Sequence, residues 1–165
     1  MIDEARRVIA QLGLVPLPHE GGYFREIWTS ATRLPSGRAT ASAIYFVLTP
    51  EAFSAFHRMA AEELWHFHAG DAVEHVQLDS RPAGASIAIV TRLGPDLLGS
   101  DQPWLSVGSN VWQGARLAAG AIRGWALVSC TVSPAWDQAE FELGDADALC
   151  RIFPAAATWV RDLTR

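Results

Sequence analysis

The chain has 165 residues, half of them apolar, with seven Trp and a net charge of −5. That composition suits one folded domain, residues 1–165, with a sizeable core, and it argues against disorder. No basic block offers a nucleic-acid footprint and no apolar run reaches the roughly 20 residues that span a bilayer, so neither nucleic acid nor membrane is an expected partner.

The N-terminal stretch MIDEARRVIAQLGL is charged from residue 3, which does not fit a signal peptide. Its spacing predicts a helix over residues 3–12: Asp3 caps it, Val8, Ile9 and Leu12 recur on one face, and Gly13 stops it. Pro16 and Pro18 force an extended connection. Short strands rich in Val, Ile, Trp, Tyr and Phe follow, expected at Tyr23–Ser30, Thr40–Leu48, Glu63–Ala69, Val73–Leu78, Ser86–Thr91, Trp104–Val107, Val111–Leu117 and Trp125–Val132. LPSGR, AGD, SRPAG, LGPD and AAG supply the turns. The tail reads as two short helices, Asp145–Phe153 and Pro154–Thr164. Many short strands flanked by terminal helices predict an all-β sandwich or barrel. The two cysteines, Cys130 and Cys150, show no CxxC spacing, so reduced thiols in a cytoplasmic protein are expected.

Three clusters could carry chemistry. HRMAAEELWHFHAGD, residues 57–71, holds three of the five histidines. If residues 63–69 are extended, Glu63, Trp65 and Phe67 share one face and Leu64, His66 and His68 the other. The face with two large aromatics is read as the interior, which puts Glu63 at the mouth of an apolar pocket with His57 in reach. A carboxylate so placed pairs with something or has its pKa raised, as a general acid or base requires. The same residues could instead form a purely structural hydrogen bond. His66 and His68 have the spacing for a metal on a strand, but on an outer face they read as surface or interface residues.

HEGGYFREIW, residues 19–28, sets Tyr23 and Arg25 on one strand face, able to bond an anionic or hydroxylated ligand; Arg25 could equally pair with Glu20 or Glu26. In SVGSNVWQGARL, residues 106–117, Gln113 is either a neutral hydrogen-bonding group facing a pocket or a solvated amide. Cys130, in the apolar run ALVSCTV, reads as a small core residue. No phosphate loop, nucleophile elbow or dinucleotide fingerprint occurs.

The stretches HEGGYFRE, AIYFVLTPEAFSAFHRM, EELWHFHAGD, LGPDL, WQGARL and ALVSCTVSPAWDQAEFEL, in this order over nearly the whole chain, resemble the small cupins of the cupin-5 or DUF985 family. The resemblance implies a double-stranded β-helix, or jelly roll, assembled as a homodimer. The wider cupin group includes metal-dependent dioxygenases, decarboxylases and isomerases, metal-free sugar-nucleotide epimerases, and binding or sensor domains. Its metal motif has two histidines one residue apart, then a glutamate and a glycine. His57, Glu63 and Gly70 fit it, while Met59 stands at the second histidine and Gln113 at the later one. A thioether and a carboxamide are poor ligands for divalent iron or zinc, so no cofactor is expected; a divalent metal, if bound, would use His57, Glu63 and Gln113. Where relatives show a Pro-Ala-Gly turn, this chain has Gly108, Ser109 and Asn110, and Asn can adopt the left-handed conformation there.

The expected function is therefore a small-molecule enzyme, an isomerase, epimerase or lyase on a carbohydrate-like or carboxylated metabolite. His57 and Glu63 would be the acid–base pair, with Gln113, Met59, Trp65, Phe67, Tyr23 and Arg25 as ligand contacts. The alternatives are a non-catalytic ligand-binding or sensor domain and a metal-dependent oxygenase or decarboxylase.

Overall fold

Alternation of apolar and polar residues produces most of the architecture. In the run ALVSCTVS, Ala126, Val128, Cys130 and Val132 are buried and the residues between them are not, as the two-residue repeat of a strand requires. The structure, a computed structural model, describes residues 2–79 and 87–165. The expected SRPAG turn at residues 80–84 and the expected strand start at Ser86 lie outside the described residues.

In chain order the elements are α1 (Asp3–Leu12), β1 (Val15–Pro16), β2 (Tyr23–Thr29), β3 (Ser42–Leu48), β4 (Ser54–Met59), β5 (Glu62–Gly70), β6 (Val73–Asp79), β7 (Ile87–Leu93), β8 (Trp104–Val107), β9 (Trp112–Leu117), β10 (Ala126–Ser133), β11 (Phe141–Leu143), α2 (Ala146–Ile152) and α3 (Ala157–Asp162). Two antiparallel sheets result, with strand orders β1-β2-β3-β10-β5-β8 and β11-β4-β9-β6-β7. This is the expected all-β double-stranded β-helix with short terminal helices. Between the sheets lie Phe46, Leu48, Trp65, Val73, Leu93, Leu117 and Val128, among others.

Helices cover part of each outer face. α1 lays Ala5, Val8, Ile9 and Leu12 over Val47 and Trp125 of the first sheet. Gly13 ends it in the left-handed conformation, with φ 63°. Its N-cap is Ile2 and not Asp3, which sits inside the first turn and pairs with Arg6. α2 and α3 cover Phe56, Val76, Leu78 and Trp112 of the second sheet with Leu149, Val160 and Leu163. Asp145 caps α2, accepting from Ala148 N at 2.8 Å. The second expected tail helix is a 3-10 turn at Pro154–Ala156 continuing into α3.

β4 is a strand where none was expected. Its SAFHRM sequence is poor in β-branched residues, and its alternation is broken. Pairing with β9 slips between Ser54, opposite Ala115, and His57, opposite Gln113. Three residues on β4 thus span two on β9, the signature of a bulge. The bulge frees the Phe56 backbone: its N–H donates to Leu163 O at 2.7 Å and its carbonyl accepts from Gly144 N at 2.6 Å. It also brings Ser54 and His57, three residues apart, to the same side.

Candidate functional site

A cavity of about 340 Å³ opens between the sheets at one end of the barrel. His57 and Met59 from β4, Glu63 and Trp65 from β5, Ile44 and Phe46 from β3, and Cys130 and Val132 from β10 line it. Glu63 and Trp65 therefore share the interior face, as their parity predicted. Glu20, from the loop before β2, is a buried member of the lining, and His19, Glu26, Trp136 and Gln138 are exposed ones.

Glu63 is buried, and burial is the largest influence on its carboxyl, raising its pKa. The charge of His57 opposes that rise, and the charge of Glu20 adds to it. Gln113 Nε2 donates to Glu63 Oε2 at 2.6 Å, and the Trp65 indole and Cys130 thiol also act on this carboxyl. Gln113 Oε1 in turn accepts from His75 Nε2 at 3.0 Å. His75 is fully buried and its pKa is lowered to about 4, chiefly by that burial. The ring is therefore neutral, with its proton on Nε2. Its Nδ1 has no partner among the described residues.

His57 Nδ1 donates to the Ala55 carbonyl at 2.9 Å, so in the neutral ring Nε2 is the basic atom. Its ring stacks on Phe141 at 5.4 Å, and Glu20 Oε1 lies 3.9 Å from Nδ1. Ser54 Oγ donates to that same Glu20 oxygen at 2.7 Å. The bulge in β4 is what lets both Ser54 and His57 face this carboxylate. Among the described residues no hydrogen bond joins His57 to Glu63 directly; they meet across the cavity.

The loop that delivers Glu20 is held by backbone geometry. His19, Gly21 and Gly22 all have positive φ, at 67°, 100° and 73°. A Cβ on Gly21 would stand 2.3 Å from Phe53 O, and one on Gly22 2.3 Å from the Phe46 ring, so glycine is required at both. Ala55 N donates to Glu20 O at 2.9 Å, and Arg165 reaches the carbonyls of Glu20 and Phe53.

Several expected positions differ. Tyr23 and Arg25 do share a face, but it is the outer one. Phe24 pairs opposite Phe46 and points inward, so Phe24 and Glu26 line the cavity; Tyr23 packs beneath α1 and Arg25 is exposed. Phe67 lies on the interior face but packs into the filled part of the core. Gln113 is buried beneath Glu63 and does not itself line the cavity. Trp65 and Met59 line it as expected. His66 and His68 lie on the outer face, where His68 meets Tyr45 edge-on at 5.9 Å. The Cys130 thiol has its pKa raised well above its usual value, first by burial and then by the charge of Glu63, so it stays protonated. Asn110 takes a φ of 60° in the turn before β9, as expected.

Sequence reasoning passed over Glu20, Ser54 and His75. Of these, His75 was within reach: it shares strand parity with the fully buried Val73.

The donor set does not fit a divalent transition metal. Met59 offers a thioether and both ends of the Gln113 amide are already bonded. Among the described residues no three His, Cys, Asp or Glu side chains gather as a metal group. No helix among these residues is long and apolar enough to cross a membrane.

Comparison with known proteins gives the same fold. A hypothetical protein from Leishmania major is similar at 29% identity and a TM-score of 0.88, over 97% of this chain and 98% of its own. Protein SO0799 from Shewanella oneidensis is similar at 31% identity and a TM-score of 0.87, over 98% and 97%. Oxalate decarboxylase from Bacillus subtilis shares the fold at 12% identity and a TM-score of 0.55, over 91% of this chain and 37% of its own. No match is found among curated proteins. The Cupin_5 family model, Cupin superfamily (DUF985), matches residues 6–144, and the chain belongs to that family.

Proposed function

We propose that the cavity binds a small carbohydrate-like metabolite and moves a proton on it, as an isomerase, epimerase or lyase does. The observation that carries this reading is the pairing of two unlike groups across one enclosed cavity. Glu63 has a raised pKa and lines the cavity, which suits an acid. His57 has its Nδ1 proton committed to Ala55 O, which leaves Nε2 as a base. Aromatic walls suit the apolar face of a sugar ring. The carboxylated ligand also expected from sequence is disfavoured, because Glu20, Glu26 and Glu63 line the cavity and, among the described residues, neither Lys nor Arg does.

The experiment is solvent exchange. The protein is incubated in D₂O with a panel of aldoses and ketoses, and deuterium at carbon next to the carbonyl is read by NMR. Uptake in at least one sugar, lost in Glu63→Gln, is the expected result. A sugar that binds without any exchange would reduce the site to a binding pocket.

We also propose that the chain pairs with a second copy of itself. Beyond α1 the outer face of the first sheet leaves Trp28, Leu64 and Trp104 exposed, with Leu64 and Trp28 in one cross-strand row through Thr131 and Ala43. Light scattering should return twice the 17.9 kDa chain mass; the monomer mass at micromolar concentration would remove the claim.

A further inference from the structure

Buried charges in proteins are paired, because an isolated one loses its hydration with nothing in return. Among the described residues no Arg side chain pairs with the Glu20 carboxylate. Glu20 is 8% exposed and lines the cavity, and among the described residues its side chain is met by the Ser54 hydroxyl and, at 3.9 Å, by His57. Elsewhere on this chain carboxylates find guanidinium partners: Glu140 with Arg38, Glu142 with Arg58, Asp101 with Arg92. Among the described residues no Lys or Arg lines the cavity, while Glu26 adds a second carboxylate on an exposed residue. Its walls are rings, among them Phe24, Phe46, Trp65, Trp136 and Phe141. Aromatic faces carry negative potential and attract cations. Carboxylates and ring faces thus act in the same direction, in a space shielded from solvent.

We infer that the cavity selects a cationic ligand, a hydroxylated molecule bearing a protonated amine, with Glu20 as its counter-ion. This rests on the reading of the cavity as a site for a hydroxylated metabolite and adds the charge of that metabolite. The ammonium replaces the missing basic side chain at Glu20, and the rings enclose the carbon beside it. An anionic ligand of the same shape would face the carboxylates with nothing to neutralise it.

Three polyols that differ only in their terminal group make the test: glucamine, glucitol and gluconate, cationic, neutral and anionic at neutral pH. Tetramethylammonium serves as a cation without hydroxyls. Binding to the full chain is measured by calorimetry or by saturation-transfer NMR. Glucamine should bind about tenfold or more tighter than glucitol, as a charge-assisted contact implies, and gluconate weakest. In Glu20→Gln the preference for glucamine over glucitol should collapse. The series on the unaltered chain decides the matter by itself if that variant does not fold. Equal binding of glucamine and glucitol would overturn the inference and leave the hydroxylated-ligand reading standing. Tetramethylammonium binding with no polyol binding would sink that reading and keep the cation preference. Tightest binding of gluconate, a preference that survives in Glu20→Gln, or no binding by any probe would refute the inference.

Discussion

The two ends of the barrel interior are built from the same strands and differ in what those strands place there. At the filled end β3 contributes Leu48, β10 contributes Ala126 and Val128, and β9 contributes Leu117, packed with Val73, Leu93 and Phe67. At the other end β3 contributes Ser42 and Ile44, β10 contributes Cys130, β5 contributes Glu63 and β4 contributes His57, and a cavity of about 340 Å³ remains. A fold of this kind earns its stability at one end and tolerates polar groups at the other. Polarity there is not random, since Glu63 is held by Gln113 and Glu20 by Ser54.

The largest contrast is expected in turnover. Glu63→Gln keeps an oxygen for Gln113 and so should keep the fold, yet it cannot give up a carboxyl proton. Exchange or turnover should fall by about 10²- to 10⁴-fold, the usual contribution of a general acid or base, read from deuterium uptake rates. A loss of less than a few-fold would move the chemistry to another group.

Next comes stability. Leu48→Ala, at the filled end, should cost about 2–5 kcal/mol by denaturant midpoint, because it opens a hole in close packing. Ile44→Ala, on the cavity wall, should cost less, since one side of that residue already lacks packing partners. Equal costs would mean that the two ends are packed alike.

A pH titration of stability sharpens the contrast further. His75 has its pKa depressed in the folded state, to about 4 against an ordinary 6.5. Its neutral form therefore stabilises the fold above pH 6.5, and that contribution, on the order of 3 kcal/mol, is lost as pH falls from 6.5 through 4. Glu63, with its pKa raised, works the other way: its contribution is present below the ordinary carboxyl value and lost as pH rises through the folded one. His75→Gln should flatten the acid limb by up to about 1.4 kcal/mol per pH unit, whatever it does to the level. An unchanged slope would show that His75 is not the neutral buried base described here.

The smallest expected effect is that of metal. Added zinc or nickel should leave the melting temperature of the unaltered chain where it is. The double variant Met59→His with Gln113→His, which supplies the two missing imidazoles, should gain a rise. A rise in the unaltered chain would show that the donor set suffices.

The sequence made the periodic part of this picture legible. The strand parity of residues 63–69 correctly put Glu63 and Trp65 inside, and the resemblance brought His57 and Gln113 to neighbouring strands. What escaped was set by geometry that periodicity does not encode. The bulge in β4 breaks the alternation around Ser54 and His57, so that strand was invisible. Glu20 arrives from a loop whose direction depends on three positive φ angles. Tyr23 and Arg25 read as ligand contacts because polar residues on a strand suggest a ligand, but the register with β3 turns Phe24 and Glu26 inward instead.

The Gln113 amide between His75 and Glu63 also decides where a proton can travel. Its nitrogen faces Glu63 and its oxygen faces His75. An imidazole or a carboxyl in that position could take up a proton on one side and release another on the other, wiring Glu63 to the barrel wall. A carboxamide does not titrate, so it insulates. Glu63 lines the cavity, and that cavity is the doorway by which a ligand reaches its carboxyl. A bound ligand would shut that doorway to water, and the proton handed to the ligand would then be the one most easily taken back.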